Sequence, residues 1–386
     1  MREKEKFVAK TYAGLEQLLF NELQELGAEN CQIGMRAVTF EGDMAMMYRA
    51  NYFCRYALRI LWQIRYFSFR DNKQFYEEIY KFPAEKILSP DGSLAFSVTM
   101  SSNAFKTPLF AAQLGKDAIC DRFREKFDRR PSVNRTTPDV QFHLHIHNNN
   151  ATLLLDSSGE SLHKRGYRVS SHPAQISEVV AAAMVKLSGW HGECDFIDPM
   201  CGSGTILIEA AMQALNIPAG FFRDGYGFQQ WKNYDAHLWK RIINQANILD
   251  DVPINFYGSD VSSRFLAIAK ANIAEARLTD FIQLRRSSIV DSIPVRTPAI
   301  LIFNPPYGER MEVDEIDNFY KEIGDTLKQK YSGCTAWIIS SNLDSLKHIG
   351  LHASKRFSLF NGALECKFMR YDLYQGKKTT SSKQSN

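Results

Sequence analysis

Apolar positions recur along this chain with two different periods, and the change of period divides it. In the first part, Leu15, Leu18, Leu19, Leu23 and Leu26 share one helical face that Gly27 closes. Short runs at 6–11, 37–40 and 57–66 read as strands around that helix. From Asn72 a second pattern begins. Residues 94–99 are strand-like, and 108–127 read as a helix opened by Pro108. Residues 141–147 alternate strictly between apolar and polar and pair with 151–156 across the turn Asn148-Asn149-Asn150. Ser157-Ser158-Gly159-Glu160 reads as a linker.

Beyond Ile176 strands and helices alternate. Helices are expected at 176–188, 204–215, 262–276 and 315–331. Strands are expected at 195–197, 255–258, near Ile282, at 299–303 and at 335–340, with a hairpin at 357–374. This order predicts a doubly wound, Rossmann-like α/β domain behind an α+β N-terminal half. The tail from 377 lacks apolar residues and is expected to be disordered.

At 386 residues the chain has room for two or three domains. A net charge of +4 permits a nucleic-acid partner without arguing for one, because a local patch outweighs the total. The charged start, Met1-Arg2-Glu3-Lys4-Glu5-Lys6, is no signal peptide, and no apolar stretch is long enough to cross a bilayer. Seven scattered cysteines without a CxxC pair suggest neither a zinc site nor a disulfide framework, and fit a reducing cytoplasm.

Three strand ends carry candidate chemistry. The apolar run 299–303 is followed by Asn304-Pro305-Pro306-Tyr307-Gly308-Glu309-Arg310. The two prolines stop the strand, since neither has an N–H for the ladder. An amide, two carbonyls and an aromatic ring are thereby fixed where open parallel sheets bind ligands. Such a group can accept hydrogen bonds from an exocyclic amine and stack a flat base. Asp195-Phe196-Ile197-Asp198-Pro199-Met200-Cys201-Gly202-Ser203-Gly204-Thr205 is a strand, an acid and a Gly-rich turn opening a helix. Leu207 stands where the dinucleotide fingerprint needs a third glycine, and no Walker lysine follows, so a phosphate cradle is disfavoured. A ligand carrying an amino-acid portion fits better. Tyr257-Gly258-Ser259-Asp260 ends the next strand, where a carboxylate can hold ribose hydroxyls or serve as a helix cap.

Together these segments resemble a class I S-adenosylmethionine-dependent methyltransferase acting on an amino group. Leu162-His163-Lys164-Arg165-Gly166-Tyr167-Arg168, Ile176-Ser177-Glu178, Ile217-Pro218-Ala219-Gly220 with Gly227, Phe228 and Trp231, and Asn361-Gly362-Ala363-Leu364-Glu365-Cys366 extend the likeness. They resemble the THUMP-containing RNA methyltransferases, and among these the bacterial 23S rRNA guanine-N2 enzymes. The resemblance implies a ferredoxin-like region at 1–70, a THUMP RNA-binding domain at 71–157 and a methyltransferase domain at 158–376, with the tail at 377–386. It implies S-adenosylmethionine as cofactor, held by Asp198, Pro199, Cys201, Gly202, Ser203, Gly204, Thr205 and Asp260. Many relatives place an acid after the strand near Ile282 to meet the cofactor's adenine; here Arg286-Ser287-Ser288 occupies the region, and the contact falls to Ser288 or to the backbone. Asn304, Pro305, Pro306 and Tyr307 become the base-holding catalytic group, and Lys164, Arg165 and Arg168 the RNA contacts. The implied partner is RNA, 23S rRNA or a large-subunit precursor, with transfer RNA and adenine N6 of DNA as rival substrates; a non-catalytic RNA-binding assembly factor is the rival of another class, disfavoured by the intact Asp198, Gly202, Gly204, Asp260 and Asn304. No membrane, metal or obligate protein partner is implied.

Other features are assigned blander roles. Cys201 is read as a packing residue of the loop. His143, His145 and His147 are read as a solvated strand face, since no fourth ligand accompanies them. The basic run from Arg122 to Arg135 is diluted by Asp121, Glu125 and Asp128 and reads first as a solvated helix end and second, given the resemblance, as an RNA phosphate contact. Phe221, Phe222, Tyr226, Phe228, Trp231 and Trp239 are read as the local core of an insertion.

Overall fold

The computed structural model describes residues 4–101, 103–170, 175–307 and 313–374. Gly308, Glu309 and Arg310, the first three residues and the tail expected to be disordered lie outside the described residues. The chain divides into two units, Met1–Gly166 with Pro218–Asn247, and Tyr167–Ile217 with Ile248–Asn386.

In the first unit, β1 (Glu5–Lys10), α1 (Glu16–Glu25), β2 (Glu29–Gly34), β3 (Ala37–Gly42), α2 (Met44–Phe53) and β4 (Arg59–Ser68) come first. They are followed by α3 (Asn72–Tyr80), β5 (Ser93–Met100), α4 (Pro108–Phe127), β6 (Ser132–Val133), β7 (Val140–His147) and β8 (Asn150–Asp156). All eight strands form one sheet in the order β2-β3-β1-β4-β8-β7-β5-β6. The seam is the antiparallel pair β4–β8, in register from Leu61↔Asp156 to Ser68↔Asn150. Helix α4 starts where its chemistry dictates: Thr107 accepts the Phe110 N–H at 3.2 Å, Pro108 sits at the first turn, and Asp128 closes the helix at φ 56°. On β7, Val140, Phe142, Leu144 and Ile146 are buried while His145 and His147 face outward. Hydroxyls meet two of these histidines: Ser97 Oγ lies 2.8 Å from His143 and Ser101 Oγ 2.9 Å from His147. Burial, helped by Lys10 and His145, holds His143 down to about 4, so its ring is neutral at neutral pH.

The stretch expected to be a linker is instead tightly held. Ser157 and Ser158 are fully buried, and both hydroxyls exchange hydrogen bonds with Asn51, at 2.8 and 2.7 Å. Small polar side chains satisfy the backbone of a buried turn as well as they solvate a loop. The segment 218–247 belongs to this unit too. Tyr226, Phe228 and Trp231 are buried, with Phe228 stacked on Tyr48 at 4.4 Å and Trp231 near Trp62 at 6.0 Å. Arg223 donates to the carbonyls of Ser161 (3.0 Å), Lys164 (2.6 Å) and Glu160 (3.1 Å). Gly166, at φ +102°, lets the backbone pass: a Cβ there would stand 1.9 Å from the Phe222 carbonyl oxygen. This segment also contains α7 (Ala236–Ile243).

The second unit alternates as predicted: α5 (Glu178–Ser188), β9 (Asp195–Asp198), α6 (Thr205–Ala214), β10 (Phe256–Asp260), α8 (Ser263–Glu275) and β11 (Ile282–Arg286). Then come β12 (Ala299–Phe303), α9 (Val313–Lys330), β13 (Thr335–Ser340), β14 (Lys355–Asn361) and β15 (Leu364–Asp372). The sheet order is β11-β10-β9-β12-β13-β15-β14, with β15 alone running against the other strands, antiparallel to both β13 and β14. Strand order reverses at β9, which has β10 on one side and β12 on the other. All five residues of β12 are buried, as a strand covered on both faces requires. Leu301 and Phe303 pack with Ile316, Tyr320, Ile323 and Leu327 of α9, each fully buried aliphatic or aromatic side chain contributing about 1.5–3 kcal/mol.

Candidate active site

The switch point gathers three strand ends. Parallel pairing puts Gly258 beside Asp198 and Leu301 beside Ile197. The loops leaving β9, β10 and β12 therefore emerge on the same edge of the sheet, where open α/β sheets take ligands.

Asp198 ends β9 fully buried. Its Oδ1 accepts the Met200 N–H at 3.2 Å, while Oδ2 is buried without a hydrogen-bond partner. Burial pushes this carboxyl well above the usual carboxylate range, and Asp260 pushes it the same way. A buried carboxylate oxygen with an open lone pair calls for a cationic or N–H donor. Next to it, Gly202 adopts φ +52° and has open space where a side chain would point. The loop is tied across to β10: Gly202 N–H donates to Asp260 Oδ2 at 3.0 Å, and Cys201 N–H to the Ser259 carbonyl at 2.9 Å. Pro199 O accepts from Ser259 Oγ at 3.2 Å. The Cys201 thiol is buried, and burial with the two nearby carboxyls pushes its pKa well up, which suits packing rather than nucleophilic attack.

Asp260 is shared. Its other oxygen accepts the Ser262 N–H at 2.8 Å, holding the turn ahead of α8, and its carbonyl accepts the Ser287 N–H at 3.2 Å. That bond brings Ser288 beside the β10 end. Ser288 Oγ caps a short turn by accepting the Val290 N–H at 3.4 Å.

Two residues brace the Gly-rich loop from behind. Arg168 forms a largely buried ion pair with Glu178 at 3.0 Å and donates to Thr205 Oγ1 at 3.1 Å. Asn272, 1% exposed in the middle of α8, donates to the Ser203 carbonyl at 3.0 Å and accepts the Val169 N–H at 2.9 Å. Ser203 and Thr205 share a hydroxyl contact at 3.2 Å.

On the other side of β9, β12 runs into Asn304-Pro305-Pro306-Tyr307. Asn304 Oδ1 is buried and has no partner, and the side-chain amide is turned toward the Tyr307 hydroxyl. That hydroxyl also lies 3.8 Å from Cys366 Sγ. Burial, then Cys366, raise the Tyr307 phenol far above its ordinary value, so it stays neutral and offers a ring and a hydroxyl, not a base. Pro305 is buried and Pro306 exposed. The Pro306 carbonyl accepts from Tyr320 Oη at 3.2 Å, and the Tyr307 carbonyl from Asn342 Nδ2 at 3.1 Å.

The fold thus collects Asp198, Gly202, Asp260, Ser288 and Asn304 on one edge of one sheet. It treats the three expected RNA contacts differently. Lys164 is exposed and paired to Glu160 at 2.6 Å. Arg165 is 1% exposed and donates to the Leu162 and Arg55 carbonyls, so its guanidinium braces the first unit. Arg168 is spent on Glu178 and Thr205. Asn272, Tyr320, Ser340 and Asn342 were not singled out by the sequence. A buried asparagine on the apolar face of an amphipathic helix was the one available signal, at Asn272.

Comparison with known proteins gives three family matches: the RlmL ferredoxin-like domain over residues 6–61, the THUMP domain over 69–156, and the RMKL-like methyltransferase domain over 165–370. A candidate RNA methyltransferase of Synechocystis sp. is 37% identical over 371 residues, covering 95% of this chain and 97% of that protein. The ribosomal RNA large subunit methyltransferase K/L of Syntrophotalea carbinolica is 36% identical, covering 95% of this chain and 53% of its own length. The chain spans about half the length of the K/L relatives it matches. Among solved structures, SMU.472, a candidate methyltransferase complexed with S-adenosylhomocysteine, superposes with a TM-score of 0.87 at 29% identity, over 98% of this chain and 100% of that one. A Listeria monocytogenes protein described as a predicted N6-adenine-specific DNA methylase gives 0.86 at 29% identity, over 96% and 97%.

Proposed function

We propose, for a chain that belongs to the RMKL-like methyltransferase family, that it transfers a methyl group from S-adenosylmethionine to guanine N2 of 23S rRNA. The observation that carries this reading is the buried, unpartnered Asn304 Oδ1 on the sheet edge where Asp198 presents an equally unpartnered oxygen. The cofactor supplies an activated methyl on a sulfonium, so no metal or covalent nucleophile is required. The chain's residues fit such a ligand. Asp198 Oδ2 would accept from its ammonium group, the open face of Gly202 admits it against the backbone, and Asp260 and Ser288 stand at the end where ribose and adenine would lie.

The protein's task is then alignment. Holding an attacking nitrogen in line with the transferred methyl supplies about 7–11 kcal/mol of barrier reduction. An exocyclic amine is conjugated with its ring and is a poor nucleophile. Asn304 Oδ1 and the Pro305 carbonyl, each accepting one amine N–H, favour the geometry that exposes the lone pair and stabilise the positive charge growing on nitrogen. Tyr307 stacks the base, which has left its helix if it was paired. Adenine N6 has the same needs, so the choice of RNA rests on the THUMP domain and on the RNA relatives, and the choice of guanine N2 on the family resemblance.

The test is nucleoside mass spectrometry of separated rRNA and tRNA from cells with and without the gene. Loss of N2-methylguanosine from large rRNA alone is expected. Loss from tRNA keeps the chemistry and replaces the substrate, while an unchanged RNA profile with altered N6-methyladenine in DNA overturns the RNA reading.

A further inference from the structure

The base-holding loop cannot hold its own shape. Pro305 and Pro306 have no N–H, so two consecutive residues contribute acceptors and no donors. Donors must come from elsewhere, and the second unit supplies them in one directed chain. Asn342 N–H donates to Ser340 Oγ at 3.0 Å. Ser340 Oγ and Tyr320 Oη are 2.8 Å apart, and Tyr320 Oη donates to the Pro306 carbonyl at 3.2 Å. Each hydroxyl has a single proton. With Tyr320 committed to Pro306, Ser340 must donate to Tyr320, and its own acceptor role is filled by Asn342. A second branch leaves the same residue. Asn342 Oδ1 accepts the Ser345 N–H at 3.0 Å, which fixes the amide so that Nδ2 faces the Tyr307 carbonyl at 3.1 Å. Tyr320 and Ser340 are fully buried, and burial raises the Tyr320 phenol to about 12, so it remains a donor throughout the working pH range.

We infer that Tyr320, Ser340 and Asn342 are positioning residues that pin the carbonyls of Pro306 and Tyr307, leaving Asn304 Oδ1 as the buried acceptor open to the target amine. The Tyr307 hydroxyl is met by Asn304 and Cys366. Among the side-chain atoms of the described loop residues, Asn304 Oδ1 is buried without a hydrogen-bond partner. The inference rests on the reading of Asn304 as the group that receives the amine. It adds that the alignment is set from β13 and α9, on side chains that touch neither base nor cofactor.

The test uses the full chain, tritiated S-adenosylmethionine and total RNA from cells lacking the gene. Tyr320→Phe and Ser340→Ala are each expected to slow single-turnover transfer about 10- to 100-fold, the scale of a small misplacement of reacting groups. Cofactor affinity and thermal midpoint should stay near those of the parent. Because both variants cut one chain, the double variant should lose no more than the worse single one. Asn304→Ala is measured alongside. If Asn304→Ala is inactive while Tyr320→Phe and Ser340→Ala turn over at the parent rate, the clamp is wrong and the reading of the loop survives. Parent-like turnover by Asn304→Ala overturns both. Loss of cofactor affinity in step with rate, or strictly multiplicative losses in the double variant, makes these residues general scaffold and overturns the inference. Should one single variant fail to fold, the other carries the comparison.

Discussion

Asp198 illustrates how a single residue can be wrong for stability and right for binding. Its carboxyl is fully buried, with one oxygen satisfied by Met200 N–H and the other by nothing. A carboxyl whose pKa is raised on folding gives stability that is complete below its ordinary value and is lost as pH rises through the raised one. Asp198→Asn is therefore expected to raise the thermal midpoint of the ligand-free protein at pH 8, by the equivalent of about 1–3 kcal/mol, while weakening S-adenosylmethionine binding. Titration calorimetry and melting curves on both forms check it; an asparagine variant that is less stable at pH 8 removes the idea of an uncompensated charge. The same argument gives the pH dependence of binding. Protonation removes the attraction for an ammonium group, so cofactor affinity should fall on acidification in the parent and change little in Asp198→Asn. Asn304→Ala should abolish transfer and leave cofactor binding near normal, measured by methyl incorporation beside calorimetry. Residues of this kind were legible in the sequence because each lies in a contiguous stretch whose backbone chemistry is self-explanatory: an acid before a Gly-rich turn, an amide before two prolines. Arg165 shows the limit. A basic run looks the same whether its guanidinium reaches solvent or turns inward to two carbonyls, and only the packing decides.

At the scale of elements, the sequence is readable where one face is wet. Helix α4 ends at the predicted residues because a Thr–Pro start and a basic last turn mark it. The strictly alternating β7 pairs with β8 across the predicted asparagine turn. Helix α2 went unread for a physical reason: Ala45, Met46, Met47, Tyr48, Ala50, Asn51 and Tyr52 are all buried, so no polar face exists to set a period. Strand β2 fails in the opposite way, being exposed at nearly every position. Contacts between elements have their own electrostatic signature. Glu85, between α3 and β5, takes a bidentate contact from Arg122 of α4 at 2.7 and 2.8 Å. Arg122, then Lys126 among its favourable partners, holds this carboxyl down to about 2. A depressed carboxyl gives stability that is present above its ordinary value and is lost as pH falls toward the depressed one. Glu85→Gln should therefore cost about 1–2 kcal/mol at pH 7 and flatten the acid limb of the stability curve between about pH 4.5 and 2. Glu22, on α1, runs the other way. Burial lifts it to about 7 against the opposing Arg55 and Tyr56 N–H bonds, so its contribution is lost as pH rises from about 4.5 toward 7. Melting midpoints across that range, compared with Glu22→Gln, should show the parent's downward slope and a flatter variant. Parallel curves for parent and variant would assign the slope elsewhere.

For the molecule as a whole, chain order and spatial order part company at one place. The sequence runs from the first unit into the second, back to the first at Pro218, and out again at Asn247. No local signal announces this return, because an aromatic cluster that covers its own insertion and one that covers a distant helix have the same composition. The reason α2 has no polar face is found here: Tyr48 stacks on Phe228 at 4.4 Å, and Tyr52 meets the edge of Trp239 at 5.6 Å. On the same segment, Lys232 donates its N–H to the Ile87 carbonyl at 2.8 Å and its ammonium to the Glu85 carbonyl at 2.9 Å. Residues 218–247 are thus core and latch for a unit whose first 166 residues precede them by a gap of half a domain. A chain cut after Gly166 would leave Tyr48, Tyr52 and Trp62 bare, an apolar surface of the kind that drives association. We expect residues 1–166 alone to bind a hydrophobic dye, aggregate and unfold without a sharp transition. The same residues joined through a short flexible linker to 218–247 should be monomeric and melt cooperatively. Within the full chain, Trp231→Ala should destabilise by about 3–5 kcal/mol, the usual cost of removing a buried tryptophan, and its effect should fall on the melting of the first unit. If 1–166 alone melts cooperatively at the midpoint of the joined form, the insertion is an ornament of that unit. The expected result makes it the last piece of the unit's core, supplied only after part of the second unit has been synthesised.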